Sequence, residues 1–237
     1  MKIVALFSLK GGVGKSTLAL HLAHMAASVG GRRTVLSDLD AQGAATFLLG
    51  AEPTPDTHAR RHLDGPALDS APKRTPHAQL ALIAADKSLR HLERDLAGAG
   101  KRDLARLAAT LAPHCDRLIL DRPPGQSALA EQLFRAADLI VEPIVPTPLS
   151  ERAHRALVAH LERHHRGCPP LLPTFNMADR RRTLHAHALA AAPERPVVPF
   201  AAAIERVGLT ARPVPPGSPA SRAFAELWAA AERRLIG

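Results

Sequence analysis

The chain has no tyrosine, one tryptophan and six phenylalanines, so aromatic residues are only 3% of its 237. A protein that grips single strands by stacking bases on rings needs more of them, and that class is excluded. Cysteine occurs twice, as Cys115 and Cys168, with no CxxC pair. A disulfide framework or a cysteine zinc site is not expected, and a reducing compartment fits. The thirteen histidines include His164-His165 and the spaced pair His185 and His187. No HExxH or Cys/His spacing accompanies them, so metal held by histidine is not expected either. No stretch approaches the ~18 apolar residues of a membrane span. The run Ile3 to Phe7 is short and lacks a small-residue cleavage site, so no signal peptide is expected, and the expected compartment is the cytoplasm. Lysine is scarce: six of the 31 basic residues are Lys and the rest are Arg.

What is present is a globular composition, 46% hydrophobic and 22% charged, long enough for one sizeable core. Short apolar runs alternate with helical segments. Ile3–Phe7, Thr34–Ser37, Leu80–Ile83, Leu118–Leu120, Leu139–Val145, Leu171–Phe175 and Val197–Phe200 read as strands. Helical spacing follows Leu18, Leu22, Met25 and Val29 and stops at Gly30-Gly31. Further helices are expected at about 88–96, 101–111, 150–166 and 220–235. Residues 51–79, rich in Pro, Arg and Asp, read as a loop excursion. Strands alternating with helices predict an α/β fold: one domain over 1–237, with a mostly parallel, twisted sheet and helices on both faces.

The most informative segment is Lys10-Gly11-Gly12-Val13-Gly14-Lys15-Ser16-Thr17. It places Gly-x-x-Gly-Lys-Ser-Thr after a strand and before a helix, the context of a phosphate-binding loop. Glycines let backbone N–H groups close around phosphate oxygens, and a helix N-terminus adds a favourable dipole. In that chemistry Lys15 reaches the β- and γ-phosphates, and the Ser16 hydroxyl ligates Mg²⁺.

With its second lysine at the start, KGGVGKST resembles the deviant Walker A motif of the ParA/MinD family of ATPases. Ser37-Asp38-Leu39-Asp40-Ala41-Gln42-Gly43 is similar to the family's switch I. Leu118-Ile119-Leu120-Asp121-Arg122-Pro123-Pro124-Gly125 is similar to its Walker B and switch II. Asn176, and the stretch from Val198-Pro199 to Val214, resemble the later segments. The resemblance implies ATP and Mg²⁺ as ligands and a P-loop NTPase fold. It implies Lys10 as the lysine that crosses to a partner's nucleotide in an ATP-bound homodimer. It implies Asp40 as the carboxylate that orients the attacking water, and Ser16, Asp40 and Asp121 around the metal. Gly125 would sense the γ-phosphate, and Asn176 and Pro199 would lie at the base. Two departures stand out: Ala41 replaces a proline, freeing the switch I backbone, and Arg122 replaces a small residue.

The net charge is +9. Residues 1–149 hold 18 Lys+Arg against 15 Asp+Glu, and residues 150–237 hold 13 against 7. On helix 150–166, Arg152, Arg155, Arg163 and Arg166 fall within one arc of roughly 80° at about 100° per residue. This stripe, with Arg206, is the candidate for duplex-DNA phosphates, the alternative being a solvated face. The terminal helix carries an apolar stripe of Phe224, Leu227, Trp228, Ala231 and Leu235. Its polar face mixes acidic and basic residues, so a packed helix is expected rather than a membrane anchor.

The expected function is that of a ParA-like ATPase. ATP would clamp a homodimer, the dimer would bind double-stranded nucleoid DNA without sequence preference, and a ParB-like or cargo-adaptor partner would stimulate hydrolysis. No DNA-reading module precedes the loop, so operator-specific repression is not expected. The alternatives are a MinD-like membrane-cycling ATPase and a metabolic P-loop synthetase.

Overall fold

The structure, a computed structural model, describes residues 1–53, 72–91, 104–125, 127–165 and 167–236. Its centre is a sheet of strands β1 (Lys2–Leu6), β2 (Thr34–Asp38), β3 (Lys73–Arg74), β4 (Leu80–Ile83), β5 (Arg117–Asp121), β6 (Leu139–Ile144), β7 (Leu171–Ala178) and β8 (Val197–Pro199). The order across the sheet is β3-β4-β2-β5-β1-β6-β7-β8. Every pairing is parallel except β3 with β4. The two-residue β3 lies inside the stretch read as loop. It adds an antiparallel edge that is too short and polar for periodicity to reveal. Residues 54–71 of that stretch lie outside the described residues.

The central strands are apolar throughout because both faces are covered. Side chains alternate between faces. Val4, Leu6 and Leu36 point into one core with α1 (Lys15–Ser28) and α9 (Pro219–Ile236). Ile3, Ala5, Val35, Leu118 and Leu120 point into a second, with α3 (Leu104–Leu111) and α4 (Ala128–Ala136). Phe7 and Ile140 join α4 and α5 (Pro148–His164) in a third cluster. Local chemistry starts these helices: Ser127 accepts from the Ala130 N–H to cap α4, and Thr147 caps α5 ahead of Pro148. The helix expected at 101–111 appears as α3, with 101–103 outside the described residues. Of the one expected at 88–96, Lys87–His91 is a 3₁₀ turn and 92–96 lie outside the described residues. The helices α2 (Ala44–Leu48), α4, α6 (Thr183–Ala191), α7 (Ala202–Glu205) and α8 (Val207–Thr210) were not expected. α2, α7 and α8 are too short for a period to show.

α1 is buried on several sides, so its apolar residues do not form one stripe. α9 packs on it: Phe224, Leu227, Trp228, Ala231 and Leu235 are all buried, the packed helix that the sequence suggested. The buried His21 ring stacks on Phe224 with centroids 3.9 Å apart. Its Nδ1 lies 2.7 Å from the Thr17 carbonyl, and its Nε2 accepts from the Val214 N–H. An accepting Nε2 requires a neutral ring donating from Nδ1. Burial lowers the His21 pKa to about 4, which keeps the ring neutral. Where α1 ends, a Cβ on Gly30 would meet the Ala26 carbonyl at 2.7 Å and the Trp228 ring at 3.0 Å. Gly30→Ala is therefore expected to destabilise the fold by about 1–3 kcal/mol, the cost of overpacking. A lower urea midpoint at unchanged slope would be the sign; an unaltered midpoint would show that this packing yields freely.

Candidate functional site

Parallel α/β sheets bind ligands in the crevice outside the carboxyl ends of their strands. Here β2, β5 and β1 lie side by side and end in Asp38, Asp121 and the glycine loop. Gly12 and Gly14 have φ values of 71° and 82°, the left-handed region that glycine enters without strain. A Cβ on Gly14 would also collide with the Asn176 amide nitrogen. That amide donates to the Val13 carbonyl at 2.7 Å, tying β7 to the loop. α1 starts at Gly14 with no side-chain cap and no acidic residue in its first turn. Its first amides are thus left for an anion.

The loop opens on a cavity of about 360 Å³ lined by Gly11, Gly12, Gly14, Lys15, Ser16, Thr17 and Asp40, with Phe47 and Pro124 opposite. A second cavity of about 200 Å³ shares Gly14, Thr17 and Leu48 with it and is lined by Asn176, Met177, Pro199, Phe200 and Ile204. The first is walled by the glycine backbone with Lys15, Ser16 and Asp40, the second by Met177, Pro199, Phe200 and Ile204. Together they suit a phosphate chain joined to a flat ring. Of the residues expected to bind nucleotide, Val13 lines neither cavity. Its side chain is buried and its carbonyl is taken by Asn176. Lys10 is half-buried at the start of the loop, its N–H donating to the Ser8 hydroxyl, and it also lines neither cavity.

Asp38 and Asp121 are register partners at the ends of β2 and β5. Asp38 is satisfied: its Oδ2 accepts from the Thr46 N–H and hydroxyl, both at 2.8 Å, and its Oδ1 accepts from the Asp40 N–H. The Thr46 hydroxyl in turn accepts from the Ala85 N–H. Asp38 therefore caps α2 at a distance and shapes switch I. With the Asp40 carboxylate accepting from the Gln42 N–H, these bonds hold the loop where Ala41 stands for proline. Asp121 is fully buried, and neither oxygen has a well-formed hydrogen bond among the described residues. Burial and the neighbouring Asp38 charge push its pKa up to about 7, against the pull of the Ser16 hydroxyl and Lys15. Burial likewise raises Asp38 to about 6 and lowers Lys15, whose charge Asp121 and Asp40 support. The two Asp121 oxygens, the Ser16 hydroxyl and the Asp40 carboxylate are all hard oxygen donors. That set fits Mg²⁺.

Arg122 is fully buried too. Its guanidinium lies over the Phe7 ring at 5.1 Å and donates to the Gly125 carbonyl and the Ser127 hydroxyl. Gly125 donates its N–H to the Ser8 carbonyl. The departure at 122 thus fastens switch II to the α4 cap. Thr46 and His21 are positioning residues that no short motif signals, and Asp38, though inside the switch I motif, takes its positioning role from Thr46. Their partners lie up to 193 positions away.

A family model described as AAA domain (AAA_31) matches residues 1–170. The virulence plasmid ParA family protein pGP5-D of Chlamydia psittaci is 30% identical over 155 residues, 63% of this chain and 59% of that protein. The chain belongs to this AAA-domain family and is of the ParA/MinD type. Chromosome-partitioning ATPase Soj of Thermus thermophilus is 33% identical over 169 residues, 71% of this chain and 65% of that protein. The chain thus spans about three fifths of the length of the curated relatives it matches. Among solved structures, cobyrinic acid a,c-diamide synthase from Mycobacterium smegmatis, with bound ADP and magnesium, superposes at a TM-score of 0.79. It is 25% identical, with 98% of this chain and 94% of that one covered. Membership makes this ParA/MinD chain one of a family of nucleotide-binding P-loop ATPases.

An unpaired buried carboxylate costs stability until a cation meets it. The unfolded Asp121 titrates near 3.8 and the folded one near 7, so the cost is full above pH 7 and fades as pH falls toward 4. In Mg²⁺- and nucleotide-free protein, Asp121→Asn should stabilise by about 1–2 kcal/mol at pH 8. The gain over wild type should shrink at pH 5. Paired urea melts at the two pH values check this, and His21 contributes equally to both proteins. A gain that does not depend on pH would refute the assigned cause.

Proposed function

We propose that this ParA/MinD-type chain is a ParA-like ATPase that hydrolyses ATP to ADP and phosphate as a conformational timer. The observation that carries the reading is the pairing of a cavity walled by the glycine loop with the buried, under-bonded Asp121 carboxylate at the end of β5. Loop amides from Gly11 to Thr17 and Lys15 hold the phosphates, and the base enters the cavity beside Asn176 and Pro199. Ser16, Asp40 and Asp121 hold Mg²⁺, directly or through water, and its charge neutralises phosphate oxygens in transfer. Asp40, on the cavity wall and tied by one side-chain bond among the described residues, orients the attacking water. Lys10, outside the cavity of its own chain, reaches the nucleotide of a second copy in an ATP-bound homodimer.

In this reading the dimer binds double-stranded DNA without reading sequence, and a ParB-like or adaptor partner triggers hydrolysis, so that DNA or a large cargo is segregated or positioned. Arg152, Arg155 and Arg163 are exposed on α5 and make no salt bridge with the described residues; Arg166 lies outside them. Arg206 is exposed between α7 and α8, beside the base cavity. By contrast, Arg181 and Arg195 are engaged by Asp179 and Glu151. A membrane-cycling role has less behind it. The apolar stripe of α9 is spent on the core, and no helix among the described residues is long and apolar enough to cross a membrane. A metabolic synthetase is favoured by the M. smegmatis neighbour alone, and hydrolysis that needs no added carboxylic acid separates the two.

Asp40→Ala should keep nucleotide binding but lower ATP turnover at least about 100-fold, the usual scale for losing a water-orienting group. It should also accumulate an ATP-bound dimer on size exclusion. Normal turnover would remove Asp40 from the role. ATP, but not ADP, should give salt-sensitive binding to random duplex DNA. Replacing Arg152, Arg155, Arg163 and Arg166 by Ala should weaken it and flatten its salt dependence by about one unit of slope for each phosphate no longer neutralised. Unchanged binding in the quadruple variant would move the DNA surface elsewhere.

A further inference from the structure

Away from the nucleotide crevice, α4 and the end of α5 bring together three side chains that the sequence separates. Glu131 comes from α4, His160 from the last turns of α5, and His165 from the residue just past its end. One donor atom of each lies within 4.8 Å of the others. The His160 Nε2 is 3.1 Å from Glu131 Oε1, and the His165 Nε2 is 2.8 Å from Glu131 Oε2. The His165 side chain is only 8% exposed. Its Nε2 is nevertheless buried without a well-formed hydrogen bond: the approach to Glu131 is short but badly angled. Simple His–Glu ion pairing leaves that misdirected nitrogen unexplained, since a buried polar atom without a partner is costly.

Phe134 packs against both imidazoles, its centroid 6.1 Å from His160 and 5.2 Å from His165, which limits their rotation. Beside His165 lies an open cavity that Cys168 also lines. We propose that Glu131, His160 and His165 form a three-ligand site for a zinc-type divalent metal, with water from the adjoining cavity as fourth ligand. Two imidazole nitrogens and a carboxylate are borderline donors that suit zinc, in contrast to the all-oxygen set around Asp121. Metal–ligand bonds of ~2.0–2.2 Å in a tetrahedron need donors ~3.4 Å apart, so the two His–Glu approaches of 3.1 and 2.8 Å open by a few tenths of an ångström on binding while any wider pair, up to 4.8 Å, closes. The spacing of Cys and His along the chain gives no sign of this site because one ligand is 29 positions from the next. A metal here fastens α4, whose capping Ser127 is held by Arg122, to the end of α5.

The test is a Zn²⁺ titration of tag-free, EDTA-treated, nucleotide-free full chain against a chromogenic chelator, in excess Mg²⁺ to fill the oxygen site. One equivalent should bind. Glu131→Gln and His160→Gln alter partly exposed side chains, and each should weaken binding at least about tenfold. His154→Gln, at the separate His154–Glu142 pair, should leave it unchanged. Co²⁺ should give the intense visible bands of a four-coordinate site in the wild type and lose them in His160→Gln. If either variant fails to match the wild-type circular dichroism, the wild-type Co²⁺ spectrum decides alone. Absence of a stoichiometric Zn²⁺ site, an octahedral Co²⁺ spectrum, or affinity indifferent to both substitutions would overturn the proposal.

Discussion

Asp121 ends a central strand with both oxygens cut off from water and without a well-formed hydrogen bond among the described residues, beside the buried Asp38 carboxylate. In a medium of low dielectric that arrangement is costly, and burial raises both pKa values in consequence. Much of the surrounding structure manages this charge. Lys15 is held close despite the loss of solvation that lowers its own pKa. Asp38 is offset by three hydrogen-bond donors. Asp121 is offset only in part, by Lys15 and the Ser16 hydroxyl. A folded protein rarely keeps such a group without a use for it.

The same constraint explains how the switches are tied to the core. Asp38 is compensated by the start of α2, so switch I is part of the device that keeps a buried carboxylate satisfied. Thr46 passes the connection on to the Ala85 N–H at the end of β4. On the other side, Arg122 lies over Phe7 and holds the backbone of Gly125 and the cap of α4. Each switch therefore has a buried polar residue among its anchors.

The glycine loop, the strand runs and the two acidic motifs were legible because each depends on neighbours in the sequence. Glycine at a left-handed turn, four or five apolar residues between covered faces, and a carboxylate at a strand end all leave a local mark. Less was visible where partners are remote. The antiparallel β3 edge sat unseen in a polar segment. The sequence placed Asp38 in the switch I motif without its partner, and showed Arg122 only as a departure from the family's pattern. His21 was no more than one histidine among thirteen. Each acquires its role from a partner carried on a different element.

The sequence by itself determined the fold class, the phosphate loop and the family, since periodicity and a contiguous motif survive without any knowledge of spatial neighbours. It also determined that the positive charge gathers after residue 150. Only the tertiary structure decided which carboxylate is satisfied and which is under-bonded, because burial and hydrogen-bond geometry are properties of neighbours in space. It alone spent the apolar stripe of the last helix on the core, closed Arg122 over Phe7, and set Glu131 beside His160 and His165. Helix packing, which no spacing along the chain encodes, makes those residues neighbours.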